Sequence, residues 1–313
     1  MSDQLALILS IAIGLLLDYI FGDPRKMPHL VKAIGQLSLK LERFFAFSIG
    51  RTICSGLCFW LALSTIIIGA YIILITVLSP FGQIFPIALN AILVFQAIAF
   101  TDLVKHVRDI RIALSQNIDK ARFKTSMIVG RDTDRMQEDD VCRAAIESAS
   151  ENLSDSVVAP LFWLAVAGPI GLLLYRVSNT LDAMVGHRTD RYEKFGKVAA
   201  RIDDVLNFIP ARLCSLLILS KNNLASWTSL APDAKKHPSI NAGWPEAAMA
   251  HQLGVVIGGR MYEKGKLVQT AEMNATGRQP TPNDIEHCIS IMGTTHLKII
   301  TLLALTQLAI LWL

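Results

Sequence analysis

The sequence is poor in charged residues. Asp, Glu, Lys and Arg make up 18% of its 313 residues, whereas 52% are hydrophobic. No charged residue occurs between Thr52 and Thr101, a run of 50 residues, and a single bilayer span needs only about 20. This composition excludes a disordered chain, a disulfide-rich secreted module and a basic nucleic-acid-binding arm. It predicts a membrane protein.

Several common motifs are also missing. The five cysteines form no CxxC pair, which argues against a disulfide framework or a zinc knuckle. The chain contains no GxxxxGK[ST] loop, GxGxxG, HExxH or GxSxG motif, so any nucleotide must be bound in another way.

Apolar stretches of membrane-spanning length predict an all-α, polytopic membrane protein with about 4–5 transmembrane helices, helical cytoplasmic segments and one domain over residues 1–313. The predicted spans are residues 5–21, 53–78, 84–100, 156–175 and 299–313. The last is only fifteen residues long, so it either spans a thin bilayer or lies partly in the interface.

Lys and Arg counts predict the orientation. Six fall between Gly22 and Thr52, none in the turn at 79–83 and nine between Thr101 and Asp155, so both basic loops are expected in the cytoplasm. A full span at 156–175 would carry the next basic segment across the bilayer. Pro160 and Gly168-Pro169 favour a break in that helix, and we expect a re-entrant hairpin there.

An acidic cluster borders the fourth apolar stretch. On a helix, Glu147 and Glu151 share one face, Asp155 follows one turn later, and like charges at this spacing repel. Together with Asn152, these side chains offer the carboxylate and amide oxygens that Mg²⁺ prefers. A solvated acidic face is the alternative.

Three further polar clusters lie near apolar boundaries. Gly22-Asp23-Pro24 and Pro28-His29 follow the first span, where Asp23 could initiate a turn and His29 could cap the next helix. Asn179 and Asp182 form the second cluster. The third contains Arg201, Asp203, Asp204, Asn207 and Arg212; Arg201, Asp204 and Asn207 share a helix face, and arginine suits bidentate phosphate binding.

Taken in order, these clusters resemble the CobD/CbiB family of cobalamin biosynthesis. The resemblance covers most of the chain, from the first span to about Tyr262. The matching residues are Gly22-Asp23-Pro24, Pro28-His29, Gly35, Glu147-Ser148, Glu151-Asn152, Asp155, Asn179-Thr180-Leu181-Asp182, Met184, Gly186, Arg191-Tyr192, Phe195-Gly196, Ala200-Arg201, Asp203-Asp204, Asn207, Pro210-Ala211-Arg212, Gly243, Pro245-Glu246 and Gly258-Gly259.

The resemblance implies a multi-pass enzyme of the inner membrane with its active site on the cytoplasmic side, an adenosylcobinamide-phosphate synthase. Such an enzyme joins adenosylcobyric acid to (R)-1-aminopropan-2-ol phosphate, or to an aminopropanol or ethanolamine analogue, and consumes ATP with Mg²⁺. Membrane lipid and other membrane-associated cobalamin-assembly enzymes are the expected partners, and nucleic acid is not.

Roles for individual residues follow from the resemblance and from side-chain chemistry. The expected ligands of Mg²⁺–ATP are Glu147, Glu151, Asn152 and Asp155, together with Asp182. Arg201 and Arg212 are expected to bind phosphate groups, with Asn207 and Asp23 also in the cofactor site. Asp203 or Asp204 is expected to accept the amine proton, and Asn179, Asp182 and His29 complete the catalytic set.

Two other classes compete with this interpretation. A Mg²⁺-dependent phosphoalcohol transferase also gathers aspartates beside the bilayer, but the residue four positions after Gly196 is Ala200 where that motif needs Asp. An AmpE-like membrane sensor has no need for so many carboxylates and arginines at one boundary. A transporter would carry charges through the middles of several spans.

Overall fold

The computed structural model describes residues 2–22, 29–187, 189–219 and 227–312. Within these ranges the chain is mostly helical, as predicted. The helices are α1 Asp3–Phe21, α2 Leu30–Ser48, α3 Ile53–Leu78, α4 Ile84–Ala97, α5 Phe100–Leu114, α6 Ile118–Ser126, α7 Glu138–Leu153, α8 Ala159–Val185, α9 Lys197–Ile218, α10 Trp227–Ala234, α11 Gly243–Leu253 and α12 Pro282–Trp312. A 3₁₀ turn at Ser79–Phe81 and a π-helical turn at Ser154–Val158 interrupt this order.

One antiparallel hairpin, which the sequence did not predict, pairs β1 Arg260–Glu263 with β2 Lys266–Gln269. Its turn contains Lys264 and Gly265, both with positive φ.

Five helical stretches in the described residues are long and apolar enough to cross a membrane: Asp3–Phe21, Ile53–Phe81, Ile84–Leu114, Glu138–Val185 and Pro282–Trp312. They confirm an all-α polytopic membrane protein. The last predicted span was too short, because its apolar part continues a helix that begins at Pro282. The predicted helix break occurs at Ala167 and Gly168, where Gly168 has φ +60°, whereas Pro160 lies in the first turn of α8, where proline is tolerated.

The chain folds into two compact units. Unit 1 contains residues 1–99, 159–207 and 301–313, and unit 2 contains residues 100–158 and 208–300. The prediction of one domain over 1–313 stays a prediction.

In unit 1, helices α2, α3 and α8 and the start of α9 enclose an apolar core. Its buried residues are Ile34, Phe59, Leu63, Val177, Leu181, Val185, Phe195 and Ala199. Leu181 and Val185 lie one turn apart on the buried face of α8, which places the neighbouring Asp182 at the margin of this core, where it is half-buried.

In unit 2, α7 packs against α5, α6 and α11. The side of α7 that carries Cys142, Ala145 and Ala149 is fully buried, and small residues there allow close helix packing. This packing holds Glu147 at a buried position in the last two turns of α7.

Candidate functional site

The first polar site lies in unit 1, where α8 supplies Asn179 and Asp182 and α9 supplies Asp203, Asp204 and Asn207. Asn207 and Asp203 are one turn apart on α9, and the Asn207 amide donates a hydrogen bond of 3.0 Å to the Asp203 carboxylate. The Tyr175 hydroxyl donates to the Asn207 side-chain oxygen, also at 3.0 Å. Tyr175 therefore fixes the amide in the orientation that serves Asp203.

Asp203 is the buried acid of this site. Burial, reinforced by the negative charge of Asp182, raises the pKa of Asp203 to about 7, although the amides of Asn207 and Asn179 act in the opposite direction. A carboxyl group with a pKa near neutrality can accept a proton and release it again under physiological conditions.

Asp204 is only half-buried and lies 3.5 Å from the exposed guanidinium of Arg201. The structure therefore brings together five of the predicted residues of unit 1 and places Arg201 at their edge. His29 caps α2, where its Nδ1 accepts a hydrogen bond from the Val31 backbone N–H. Its catalytic role stays a prediction, and Asp23 lies outside the described residues.

The second polar site is a cavity of about 340 Å³ in unit 2, here called the carboxylate cavity. Glu147 and Glu151 of α7 and Glu246 of α11 line it, with Arg131 and His237. Glu147 is held on both sides: Arg131 forms an ion pair with it, and the Gly258 backbone N–H donates to its other oxygen at 2.6 Å.

Glu147 and Glu246 are the two buried acids of this cavity, each with 7% of its surface exposed. Among the described residues, the His237 ring nitrogen lies 3.9 Å from the Glu246 carboxylate, and the Glu246 carboxyl forms no hydrogen bond within those ranges. Burial, with the charges of Glu147 and Glu151 added, raises the pKa of Glu246 well above its usual value. Burial also lowers the pKa of His237, which favours neutral imidazole there.

The four predicted magnesium ligands do not form one ligand set in this structure. Glu147 and Glu151 line the cavity, but the Asn152 amide donates back to the Ser148 carbonyl at 2.8 Å. Asp155 lies in the π-helical turn, whose wider winding breaks the alignment expected from α-helical spacing. Across the described ranges, no three His, Cys, Asp or Glu side chains are grouped as a metal site requires. Their assignment to Mg²⁺–ATP stays a prediction.

Arg212 is held by aromatic and polar neighbours of unit 2. Its guanidinium carbon lies 3.6 Å from the Phe208 ring centroid and 4.6 Å from that of Trp244. It donates to the Phe208 carbonyl at 2.6 Å and to the Asn241 side chain at 3.2 Å. These contacts explain how a guanidinium is accommodated beside apolar residues, and its phosphate-binding role stays a prediction.

Arg131 and Glu246 were missed as site residues from the sequence. Pro245-Glu246 belongs to the matching motifs, so a signal existed for Glu246, but no spacing links α11 to α7. Arg131 lies in the loop before α7 and carried no motif. Only the fold brings these residues to Glu147.

The fold and these two sites define a class: a polytopic helical membrane protein that carries buried carboxylates beside amides and arginines. The chain matches the family described as CobD/Cbib protein over residues 11–292. It therefore belongs to the CobD/CbiB family, as its motifs indicated, and its role is in cobalamin biosynthesis.

Curated relatives carry the same description. A "Cobalamin biosynthesis protein CobD" of Halalkalibacterium halodurans is 36% identical over 307 residues, which cover 95% of this chain and 96% of the relative. Its counterpart in Leptospira interrogans is 39% identical over 80% of this chain and 81% of its own. That of Rhodobacter capsulatus is 37% identical, over 91% and 92%. No solved structure matches the chain.

Proposed function

We propose that this chain is an ATP-dependent amide ligase. It joins the free carboxylate of adenosylcobyric acid to the amine of (R)-1-aminopropan-2-ol phosphate, or of an aminopropanol or ethanolamine analogue, and yields adenosylcobinamide phosphate. Family membership supports the pathway. The observation that carries the reaction class is the buried Asp203 carboxyl, whose pKa of about 7 suits it to take a proton from an amine.

The reaction requires activation of the carboxylate by ATP and deprotonation of the amine. A carboxylate is a poor electrophile, so one of its oxygens attacks the γ-phosphorus of ATP, releases ADP and forms an acyl phosphate. The amine then attacks the acyl carbon, the C–O bond breaks and inorganic phosphate leaves. Mg²⁺ enters as part of the Mg–ATP substrate, where it neutralises phosphate charge.

Asp203 is the proposed general base for the second step. An alkyl amine is protonated at neutral pH, since such groups titrate near 10, and an ammonium has no lone pair for attack. Asp203 accepts one proton from the bound ammonium, which frees the lone pair for attack, and the second N–H proton leaves with the departing phosphate as HPO₄²⁻ when the C–O bond breaks. The amides of Asn207 and Asn179 stabilise the ionised Asp203 carboxylate before the substrate binds. The negative charge of Asp182 raises the pKa of Asp203 and so makes it a stronger base.

The remaining roles are proposals from the family pattern. Arg201 and Arg212 bind phosphate groups, and Glu147 and Glu151 act on Mg–ATP. The enzyme resides in the inner membrane with its site facing the cytoplasm, where ATP is available. Other membrane-associated cobalamin-assembly enzymes are its proposed partners.

A product assay tests the proposal. Membranes containing the chain are incubated with adenosylcobyric acid, ATP, Mg²⁺ and aminopropanol phosphate, and the amide product is sought by mass spectrometry. We expect product with the wild-type chain and with Asp119→Asn, a control at a surface position, and a loss of at least a hundredfold with Asp203→Asn. Absence of product with correctly inserted wild-type chain would make the ligase assignment wrong.

A further inference from the structure

A second cavity in unit 2 is lined by arginines. It has a volume of about 240 Å³ and is here called the arginine cavity. Its charged lining consists of Arg131, Arg135, Arg143 and Arg260 against Asp132 and Asp140, so the arginines outnumber the acids. None of these residues was singled out by the sequence motifs.

Both acids of this cavity are already bound by backbone donors of the protein. The Asp132 carboxylate accepts a hydrogen bond of 2.6 Å from the Gly265 N–H. The Asp140 carboxylate accepts one of 3.0 Å from the Gln137 N–H, as part of the cap at the start of α7. The two carboxylates therefore have structural roles that do not depend on the free arginines of the cavity.

Two of the four arginines are anchored by the protein. Arg143 donates to the Gly258 carbonyl at 3.1 Å, and Arg131 forms an ion pair with Glu147 through one terminal nitrogen. Among the described residues, the other terminal nitrogen of Arg131 has only the Met261 sulfur as a partner, at 3.6 Å. Because a thioether is a weak acceptor, Arg131 keeps a donor for a stronger one.

The other two guanidinium groups have no acceptor among the described residues. Arg135 and Arg260 are exposed, and neither has a hydrogen bond or ion pair with any residue in the described ranges. Arg135 lies over the Tyr262 ring, 5.2 Å from its centroid, a contact that restrains the guanidinium without using its N–H donors. Such parallel donors match the oxygens of a phosphate group.

Backbone contacts hold these two arginines in place relative to each other. Arg135 lies in the loop before α7, and Arg260 begins β1 of the hairpin. The Asp132 N–H of the loop donates to the Tyr262 carbonyl of β1 at 2.9 Å, while the Asp132 carboxylate is bound to Gly265 in the hairpin turn. The loop is therefore joined to both the strand and its turn. Such preorganisation lowers the entropy that a ligand must cost on binding.

The arginine cavity adjoins the carboxylate cavity, because Arg131 and Met261 line both. The carboxylate cavity carries Glu147 and Glu151, which act on Mg–ATP in the proposed function. A triphosphate carries more negative charge and more oxygens than a phosphate monoester. Several guanidinium groups along one cavity therefore match a chain of phosphates.

We propose that the arginine cavity binds the polyphosphate of ATP. Arg135 and Arg260 bind phosphate oxygens at its exposed side, and Arg131 contributes its second terminal nitrogen at the boundary with the carboxylate cavity. This inference rests on the proposed function and names the site of one substrate. The two phosphorylated substrates, ATP and the aminoalkyl phosphate, are therefore expected to respond differently when these arginines are changed.

Kinetics of the full chain in membranes test the assignment. The double variant Arg135→Gln/Arg260→Gln removes two charges that bind no described residue through a hydrogen bond or ion pair, so the fold should be kept. We expect the KM for ATP to rise at least about tenfold, while the KM for aminopropanol phosphate and kcat stay within about twofold. Arg135→Lys/Arg260→Lys keeps the charges but loses the paired donors, so its KM for ATP should be intermediate.

The matched control is Arg108→Gln/Lys235→Gln. It also removes two charges from exposed basic residues of unit 2, and these line neither cavity, so its kinetic constants should equal those of the wild type. The same rise in the KM for ATP in this control would overturn the assignment. So would an unchanged KM for ATP in Arg135→Gln/Arg260→Gln, or a rise in its KM for aminopropanol phosphate as large as that for ATP.

Direct binding separates this proposal from the proposed function. The Mg²⁺ complex of AMP-PNP, a non-hydrolysable ATP analogue, is titrated into the purified full chain in nanodiscs of phosphatidylcholine and followed by calorimetry. We expect binding by the wild type and at least about tenfold weaker binding by Arg135→Gln/Arg260→Gln. No binding by the wild type, or equal binding by the two proteins, would overturn the site whether or not the ligase reaction is observed. Binding without product would contradict only the ligase.

Discussion

At the scale of single residues, the proposed general base is Asp203. Its carboxyl is buried beside Asp182, and both effects favour the neutral acid. Asn207, held by Tyr175, supplies the hydrogen bond that makes the ionised form attainable. The result is a proton acceptor poised near neutral pH.

The pH dependence of the reaction follows from this pKa. Below about pH 7 Asp203 is protonated and cannot accept the amine proton, so log kcat/KM for the amine is expected to rise with unit slope up to about pH 7. Above it, the rate should reach a plateau, because the base is ionised and takes the proton from the ammonium. In Asp203→Asn, the residual rate should instead keep rising toward pH 10 as free amine forms. A wild-type rate that rises without a plateau would contradict the assignment.

The raised pKa of Asp203 also affects folding stability, which is expected to fall over the pH range in which the reaction rate rises. The raised pKa means that the folded protein favours protonated Asp203, so the stability that this group contributes is present at low pH and is lost as the pH rises to about 7. Asparagine at this position is neutral at every pH. Asp203→Asn should therefore reduce any loss of stability between pH 4 and pH 7, even though it abolishes the base.

At the scale of secondary structure, close packing of α3 against Phe195 helps to position the helices that carry Asp182 and Asp203. Gly56 on α3 packs against the backbone of Phe195, and a Cβ at this position would overlap the Phe195 carbonyl oxygen. Phe195 belongs to the core that also contains Leu181 and Ala199, near Asp182 on α8 and Asp203 on α9. A displaced Phe195 would therefore disturb the elements that carry the unit 1 site.

Alanine substitution of two glycines in α3 distinguishes the effect of packing on stability from the effect of helix propensity. Gly56→Ala is expected to destabilise the protein by about 1–3 kcal/mol through overpacking. Gly69→Ala adds a methyl group where nothing lies within 4 Å, so it should stabilise the helix by roughly 0.5–1 kcal/mol. Thermal unfolding of the purified protein measures both, and equal Tm changes of the same sign would refute this packing.

The sequence predicted the membrane helices well because their signal is local: α1, α3 and α4 are long apolar runs between polar boundaries. It also identified Asp203 and Asn207 as site residues, but it grouped Asn207 with Arg201 and Asp204 on one helix face, whereas the Asn207 amide bonds to Asp203. It could not place Glu246 or Arg131 beside Glu147, because those contacts depend on tertiary packing. The π-helical turn at Ser154–Val158 was equally hidden, since α-helical periodicity predicted Asp155 in line with Glu151. The β-hairpin at 260–269 was too short and too polar to stand out.

At the scale of the whole molecule, the uncharged run of α3 and α4 predicts a membrane topology. Gly50, between α2 and α3, and Gly82, between α3 and α4, should lie on opposite sides of the bilayer, with Gly50 in the cytoplasm. Single cysteines at these positions, probed in intact cells with an impermeant maleimide against the wild-type background, should react only at position 82. Labelling of both positions would contradict the assignment of α3 as a membrane span.

The central claim is that ATP activates the corrinoid carboxylate before the amine attacks. Adenosylcobyric acid with ¹⁸O in its free carboxylate tests it most directly, because one carboxylate oxygen must leave with the γ-phosphate. With purified wild-type chain, ATP, Mg²⁺ and aminopropanol phosphate, we predict one ¹⁸O atom in each inorganic phosphate formed and one retained in each amide. Amide formation with unlabelled phosphate would contradict the acyl-phosphate route.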